Sequence, residues 1–266
     1  VTKSLAAAAA ASTLLLSACG GSAADSAVGD SAEGDAAAPT TLTVFAAASL
    51  TDTFEDLADR FAESHDGVDV QLSFAGSSDL VTQIREGAPA DVVATADERT
   101  MQSLVEDDLV AAEPQNFVSN TLVIAVPTGN PERIEGLADL TGGGLDVVVC
   151  APQVPCGAAT ETVAESAGVE IDAVSEEPAV TDVLGKVANG QADAGLVYRT
   201  DASGADEVDA VEFPESDDAV NLYPIAPVAD AGNADAENAE AAQQFVDFVL
   251  SDEGRAVFDA AGFGAP

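Results

Sequence analysis

From residue 41 onwards, apolar runs of strand length alternate with stretches of helical period. "TLTVFAAA" (41–48) is a continuous apolar run, the pattern of a strand buried on both faces. The next stretch places Leu50, Phe54, Leu57, Ala58 and Phe61 on one helical stripe, with Ser49 as its expected N-cap and Asp52 three residues on. "VDVQLSF" alternates and predicts a second strand, "SSDLVTQIREG" a second helix, "ADVVATA" a third strand and "DERTMQSLVEDD" a third helix. This order predicts a parallel sheet with helices on both faces.

A new set begins with a strand in "NTLVIAVP", after which Gly129, Asn130 and Pro131 interrupt the chain. Then come a strand in "LDVVVCAP", helices near 157–168 and 179–189, a strand in "ADAGLVY", and strands in "VDAVEFP" and "LYPIAPVA". The last part is helical: Ala242, Phe245, Val246 and Val249 share one face of "NAEAAQQFVDFVLS", and "DEGRAVFDAAGF" predicts a short final helix. Two such α/β sets, with strands able to cross between them, imply two lobes and a cleft. In open parallel sheets ligands sit beyond the carboxyl ends of the strands.

The first forty residues read differently. Lys3 precedes "LAAAAAASTLLLSA", apolar and of signal-peptide length, and the stretch ends in "LSAC". Residues 1–19 are therefore expected to be a lipoprotein signal peptide, with Cys19 the lipidated residue. Residues 20–40, rich in Gly, Ala and Ser with four acids, are expected to be a flexible acidic tether. Export implies an oxidising compartment, in which Cys150 and Cys156 of "CAPQVPC" can pair; spacing alone does not prove the bond. A two-Cys metal site would need further ligands, and the only histidine, His65, reads as an exposed residue at a helix end.

Charge narrows the partners. The chain has 48 acidic and 8 basic residues, a formal net charge of −40. Nucleic acid is excluded as a default partner, because phosphate contacts need Lys and Arg. A salt-rich habitat and a general acidic bias of the source both fit this balance. No calcium-loop pattern, phosphate-binding Gly-Lys loop or Gly-x-Ser-x-Gly elbow is present, and no histidine is placed for acid–base work, so an enzyme is not expected.

Against this acidity, two strand-to-helix junctions carry hydroxyls and no carboxylate: Ser49 in "AAAS", and Ser77 and Ser78 in "AGSS". Helix starts present unpaired N–H groups and a partial positive charge, and small neighbours (Ala46 to Ala48, Gly76) let an anion approach the backbone. Serine at a helix start is also an ordinary cap, and Tyr198 or Val180 taken alone would be core residues.

Together, "VFAAASLTDTFEDLADRF", "VQLSFAGSSDLVTQIREGAPADVVATAD", "VPCGAAT" and "ADAGLVYRTDA" resemble the molybdate-binding proteins of bacterial ABC transporters, in order and spacing, from Leu42 to Phe263. The resemblance implies a type II periplasmic-binding-protein fold. In it two α/β lobes, each a mainly parallel sheet flanked by helices, join through a two-strand hinge. Lobe 1 would hold 41–121 plus about 220–266, and lobe 2 about 122–219. It also implies an oxyanion, molybdate or tungstate, held without charged side chains or any cofactor. The hydroxyls would come from Ser49, Ser77 and Tyr198, and backbone N–H groups from Cys156 and Val180. Cys156 departs from the family's alanine in that turn, which keeps the N–H but stiffens the turn if a disulfide forms. Further implications are a monomer outside the cytoplasm, anchored to the membrane through Cys19, that delivers its ligand to an ABC permease. Competing readings are a receptor for sulfate or thiosulfate and a structural or adhesive surface lipoprotein. A ferric-iron receptor is disfavoured, since such sites call for a Tyr pair or His.

Overall fold

The computed structural model describes residues 39–229 and 236–266. The expected signal peptide, Cys19 and all but the last two residues of the expected tether lie outside them. The first half of the described chain runs β1 (Thr40–Ala47), α1 (Thr51–Ser64), β2 (Val68–Ala75), α2 (Ser77–Arg85), β3 (Val92–Ala94), α3 (Glu98–Glu106), β4 (Gln115–Asn120) and β5 (Leu122–Pro127). There follow β6 (Val147–Cys150), α4 (Pro155–Ala167), β7 (Ala173–Glu177), α5 (Val180–Ala188), β8 (Ala194–Tyr198), α6 (Arg199–Ser203), β9 (Val208–Val211), β10 (Asn221–Pro227), α7 (Ala236–Val249) and α8 (Asp252–Ala260).

Two five-stranded sheets result, ordered β2-β1-β3-β10-β4 and β7-β6-β8-β5-β9. In each, four strands run in one direction and one runs against them. β1 pairs in parallel with β2 and β3, while β10 runs antiparallel to β3 and β4. β6 pairs in parallel with β7 and β8, while β5 runs antiparallel to β8 and β9. The sheets are thus mixed, more so than the βαβα order predicts, because each lobe also takes a strand from a crossing of the chain. One crossing is Thr121, between β4 and β5. The other is the segment between β9 and β10.

Burial explains the strand patterns. β1 is flanked on both sides, and Leu42, Val44, Phe45, Ala46 and Ala47 are all buried. β2 lies at an edge and exposes Asp69 and Gln71 in alternation. The stripe on α1 buries Phe54, Leu57, Ala58 and Phe61. It packs into an aromatic cluster in which the Phe61 and Phe245 rings are 5.2 Å apart and the Phe117 and Phe258 rings 5.1 Å. Helices α7 and α8 return from the end of the chain to the first lobe, and Gly264 bridges back to Ser119 on β4. His65 is half-buried, not exposed: it ends α1 and stacks on Phe61 with ring centres 3.9 Å apart.

Candidate anion-binding site

The carboxyl ends of β1, β2 and β6 each lead into a helical turn at the cleft. Ser49, Ser77, Cys156, Val180 and Tyr198 come together there around one small cavity of about 20 Å³. Its remaining walls are Ala47, Ala48, Gly76, Ala96, Val154, Pro155, Pro178 and Ala179, so no charged side chain among the described residues lines it.

Four helical segments start at this cavity: the tight turn Ala48–Leu50, α2, α4 and α5. None has a side-chain cap. Away from the cavity, α3 and α8 are capped, by Asp97 (2.8 Å to Thr100 N) and Ser251 (3.2 Å to Gly254 N). The first N–H groups of a helix have no acceptor within the helix. Leaving them uncapped where four starts converge aims their partial positive charge at one point. Cys156 and Val180 lie in the first turns of α4 and α5, where the backbone N–H is such an orphan.

Ser49 does not cap α1. It sits within the tight turn that precedes the helix, and its hydroxyl meets Tyr223 Oη at 3.1 Å. Ser77 is 2% exposed, and its Oγ accepts the Ala96 N–H at 3.0 Å, which leaves its own proton free to donate. Tyr198 is fully buried and receives a hydrogen bond from Asn221 Nδ2 at 3.1 Å. Burial pushes the Tyr198 and Tyr223 phenols well above the usual tyrosine range, so both keep their protons. Cys150 and Cys156 form a disulfide, with Cα atoms 5.6 Å apart, that ties the end of β6 to the start of α4.

The lobes touch beside the cavity. Ser78 Oγ and Arg99 Nη2 both donate to the Gln153 carbonyl, at 2.9 and 3.1 Å. Gly76 faces Pro178 so closely that an added Cβ would lie 2.1 Å from the Pro178 oxygen. Sequence reasoning assigned Gly76 to anion approach; its missing side chain is first required by the opposite lobe. Asn221 and Tyr223 were missed. Their signal is two polar residues, two positions apart, on one face of an otherwise apolar strand.

A larger cavity of about 470 Å³ adjoins the first and is lined by Ser49, Asp52, Thr181, Thr200 and Asp201 among others. Burial raises the Asp201 carboxyl to about 7; the Tyr198 N–H, at 3.2 Å, pulls it down in part, and Asp52 across the cleft raises it further. Near neutral pH much of this carboxyl is therefore uncharged, which lessens repulsion beside an anion site. A carboxyl whose folded value lies above its unfolded one stabilises the fold fully below about 4, and that contribution is lost as pH rises through about 7. The melting temperature is therefore expected to fall between about pH 4 and 7 and to level off above. Asp201→Asn keeps an acceptor for the Tyr198 N–H and should flatten that slope. An unchanged slope in thermal melts of the variant would refute the assignment.

Two mixed sheets closed on a shared small cavity define a two-lobed α/β binding protein of the type II periplasmic class. The chain belongs to the bacterial extracellular solute-binding proteins, whose family model matches residues 42–264. It is 47% identical over 226 residues to the molybdate-binding protein ModA of Mycobacterium tuberculosis (strain H37Rv), covering 85% of each chain. It superposes on the periplasmic molybdate-binding protein of Azotobacter vinelandii with a TM-score of 0.71 at 24% identity, covering 85% of this chain and 99% of that one. The sulfate-binding protein SubI of Mycobacterium tuberculosis gives a TM-score of 0.70 at 20% identity, covering 84% and 86%. Two structures so alike with different ligands show that the fold alone does not choose the anion.

Proposed function

We propose that this protein binds molybdate, and tungstate with it, in the small cavity between its lobes and delivers it to an ABC permease. Ser49, Ser77 and Tyr198 supply hydroxyl donors; Cys156 and Val180 supply backbone N–H donors. The observation that carries the reading is the composition of that cavity. Five neutral donors drawn from both lobes surround it, four uncapped helix starts converge on it, and no charged side chain among the described residues lines it. The molybdate-binding relative adds the choice of oxyanion.

The chemistry follows from the donors. A tetrahedral dianion leaves water only if its oxygens find protons again, and hydrogen bonds to a charged partner are roughly twice as strong as neutral ones. A pocket built only of donors rejects hydrogen phosphate, whose proton would be buried without an acceptor at about 1–3 kcal/mol. Sulfate has the right charge but shorter bonds, so its oxygens fall short of some donors. The surface charge of −40 opposes capture at long range, yet at 0.1 M salt it is screened beyond about 10 Å.

Donors from both lobes favour the closed arrangement over the open one, because an open cleft offers the anion only part of the set. The hinge would be Thr121 together with the β9–β10 segment. A permease would read the closed surface. Anchoring through Cys19 outside the cytoplasm, and action as a monomer, complete the proposal.

Calorimetric titration of the purified chain with molybdate, tungstate and sulfate tests it. Saturable binding of the two larger anions with little or none of sulfate is the expected result. A response to sulfate alone would transfer the site to the sulfate receptors, and no response to any of the three would remove the reading.

A further inference from the structure

We propose that Asn221 is a positioning residue for anion selectivity: its amide fills the acceptor side of the Tyr198 hydroxyl and turns that hydroxyl's proton into the cavity. The inference rests on the molybdate reading above and deepens it.

The amide's orientation is fixed by its neighbours. Asn221 Nδ2 lies 2.8 Å from the Ala96 carbonyl oxygen and 3.1 Å from Tyr198 Oη. A carbonyl only accepts, so the atom facing it is the nitrogen, and its second N–H is the one that reaches Tyr198. Asn221 is buried, and its amide cannot be replaced by solvent. Tyr198 Oη accepts on that side and retains its proton, which has two acceptors to choose between, the neighbouring Tyr223 hydroxyl and an anion in the cavity that Tyr198 lines; the charged one is the stronger.

Ala96, which follows β3, serves both lobes. Its carbonyl orients Asn221 and through it Tyr198, and its N–H fills the acceptor side of Ser77 Oγ at 3.0 Å. Tyr223 does the same for Ser49. The two oxygens are 3.1 Å apart and either can donate, but a bound anion decides between them: Ser49 sends its proton to the anion and takes that of Tyr223. Each hydroxyl at the cavity thus has a protein donor behind it. For Tyr198 that donor belongs to the sheet of the opposite lobe, so its polarity is set only when the lobes meet.

Asn221→Asp reverses this polarity. An ionised carboxylate accepts only; a protonated one has a single proton, which goes to the Ala96 carbonyl. Either way the Tyr198 proton is drawn toward residue 221, and a lone pair faces the cavity. Hydrogen arsenate is the informative probe: near pH 8 it is doubly charged and tetrahedral, and it carries a proton that such a lone pair would accept. Calorimetry with molybdate and hydrogen arsenate at about pH 8 reads the effect as a ratio of affinities. Wild type is expected to prefer molybdate. Asn221→Asp should lose about 10–100-fold on molybdate with no matching loss on arsenate. Asn221→Leu, which leaves the hydroxyl free to rotate, should lower the preference less. In a Tyr198→Phe background, Asn221→Asp should no longer change it.

A merely structural role would weaken both anions together and leave the ratio alone. An unchanged ratio in Asn221→Asp, or the same change in the Tyr198→Phe background, overturns the proposal. If circular dichroism shows that Asn221→Asp does not fold, Asn221→Leu compared in the two backgrounds decides in the same way. Wild type that binds neither molybdate nor tungstate would instead remove the reading on which the inference rests, before any variant is made.

Discussion

A Gly76→Ala chain is expected to bind molybdate about 10–100-fold more weakly than wild type and to melt, without ligand, at the same temperature. Gly76 has φ −57° and ψ 137°, values that any residue adopts, so alanine brings no backbone strain. The conflict lies wholly with the other lobe. The new Cβ would stand 2.1 Å from the Pro178 oxygen and 3.2 Å from its carbonyl carbon. Both are backbone atoms and cannot swing aside as a side chain would. Overpacking of this kind costs about 1–3 kcal/mol, and here the cost falls on the closed arrangement alone. A penalty on one of two states appears in the affinity of the ligand that selects that state. Small-angle scattering of the variant with saturating molybdate should show lobes further apart than in wild type. Unchanged affinity would mean that the lobes need not meet at Gly76 for the anion to be held.

Much of this arrangement was legible along the chain, for physical reasons that differ from place to place. The buried strand β1, the stripe on α1, the start of α2 at Ser77 and helices near 157–168 and 179–189 follow from local patterns, and the structure has them, with α4 starting two residues earlier than read. β4 ("QNFVSN") and β7 ("AVSEE") escaped because polar side chains occupy much of each; both lie at sheet edges, where Gln115 and Glu176 meet water, while Ser119 and Asn120 are buried on the Ala265 carbonyl and the Thr200 hydroxyl. Ser49 was read as a cap because strand-then-serine is the local signature of one. Its hydroxyl instead serves Tyr223, far along the chain, and a local rule cannot see such a partner. The same holds for Pro178 opposite Gly76 and for Asp52 opposite Asp201. Five residues scattered over about 150 positions were assembled from the resemblance, and the structure places them around one cavity. The layer behind them, Asn221, Tyr223 and the Ala96 peptide, was not read: the spacing of Asn221 and Tyr223 marks a polar face on β10 but not its partners, and the effect of the layer depends on which way a proton points.

Ser77 and Ser78 are adjacent, and their alanine variants should part company. Ser77→Ala removes two things at once. The anion loses a hydroxyl donor, and hydrogen bonds to charged groups contribute about 1.5–3 kcal/mol, so affinity should fall about 10–150-fold. The buried Ala96 N–H also loses its acceptor at 3.0 Å. An unpaired buried donor costs about 1–3 kcal/mol whether or not ligand is present, so the ligand-free melting temperature should drop by roughly 2–10 °C. Ser78 is half-buried, and its hydroxyl donates to the Gln153 carbonyl of the opposite lobe at 2.9 Å. That bond joins neutral partners and exists only where the lobes meet. Ser78→Ala should therefore weaken binding less than about tenfold and leave the ligand-free melting temperature unchanged. Calorimetry and thermal melts of the two variants side by side separate the roles. If Ser77→Ala lowered the melting temperature but not the affinity, Ser77 would be a buried acceptor for Ala96 and nothing more, and the donor assigned to it would have to come from the backbone N–H groups at the start of α2.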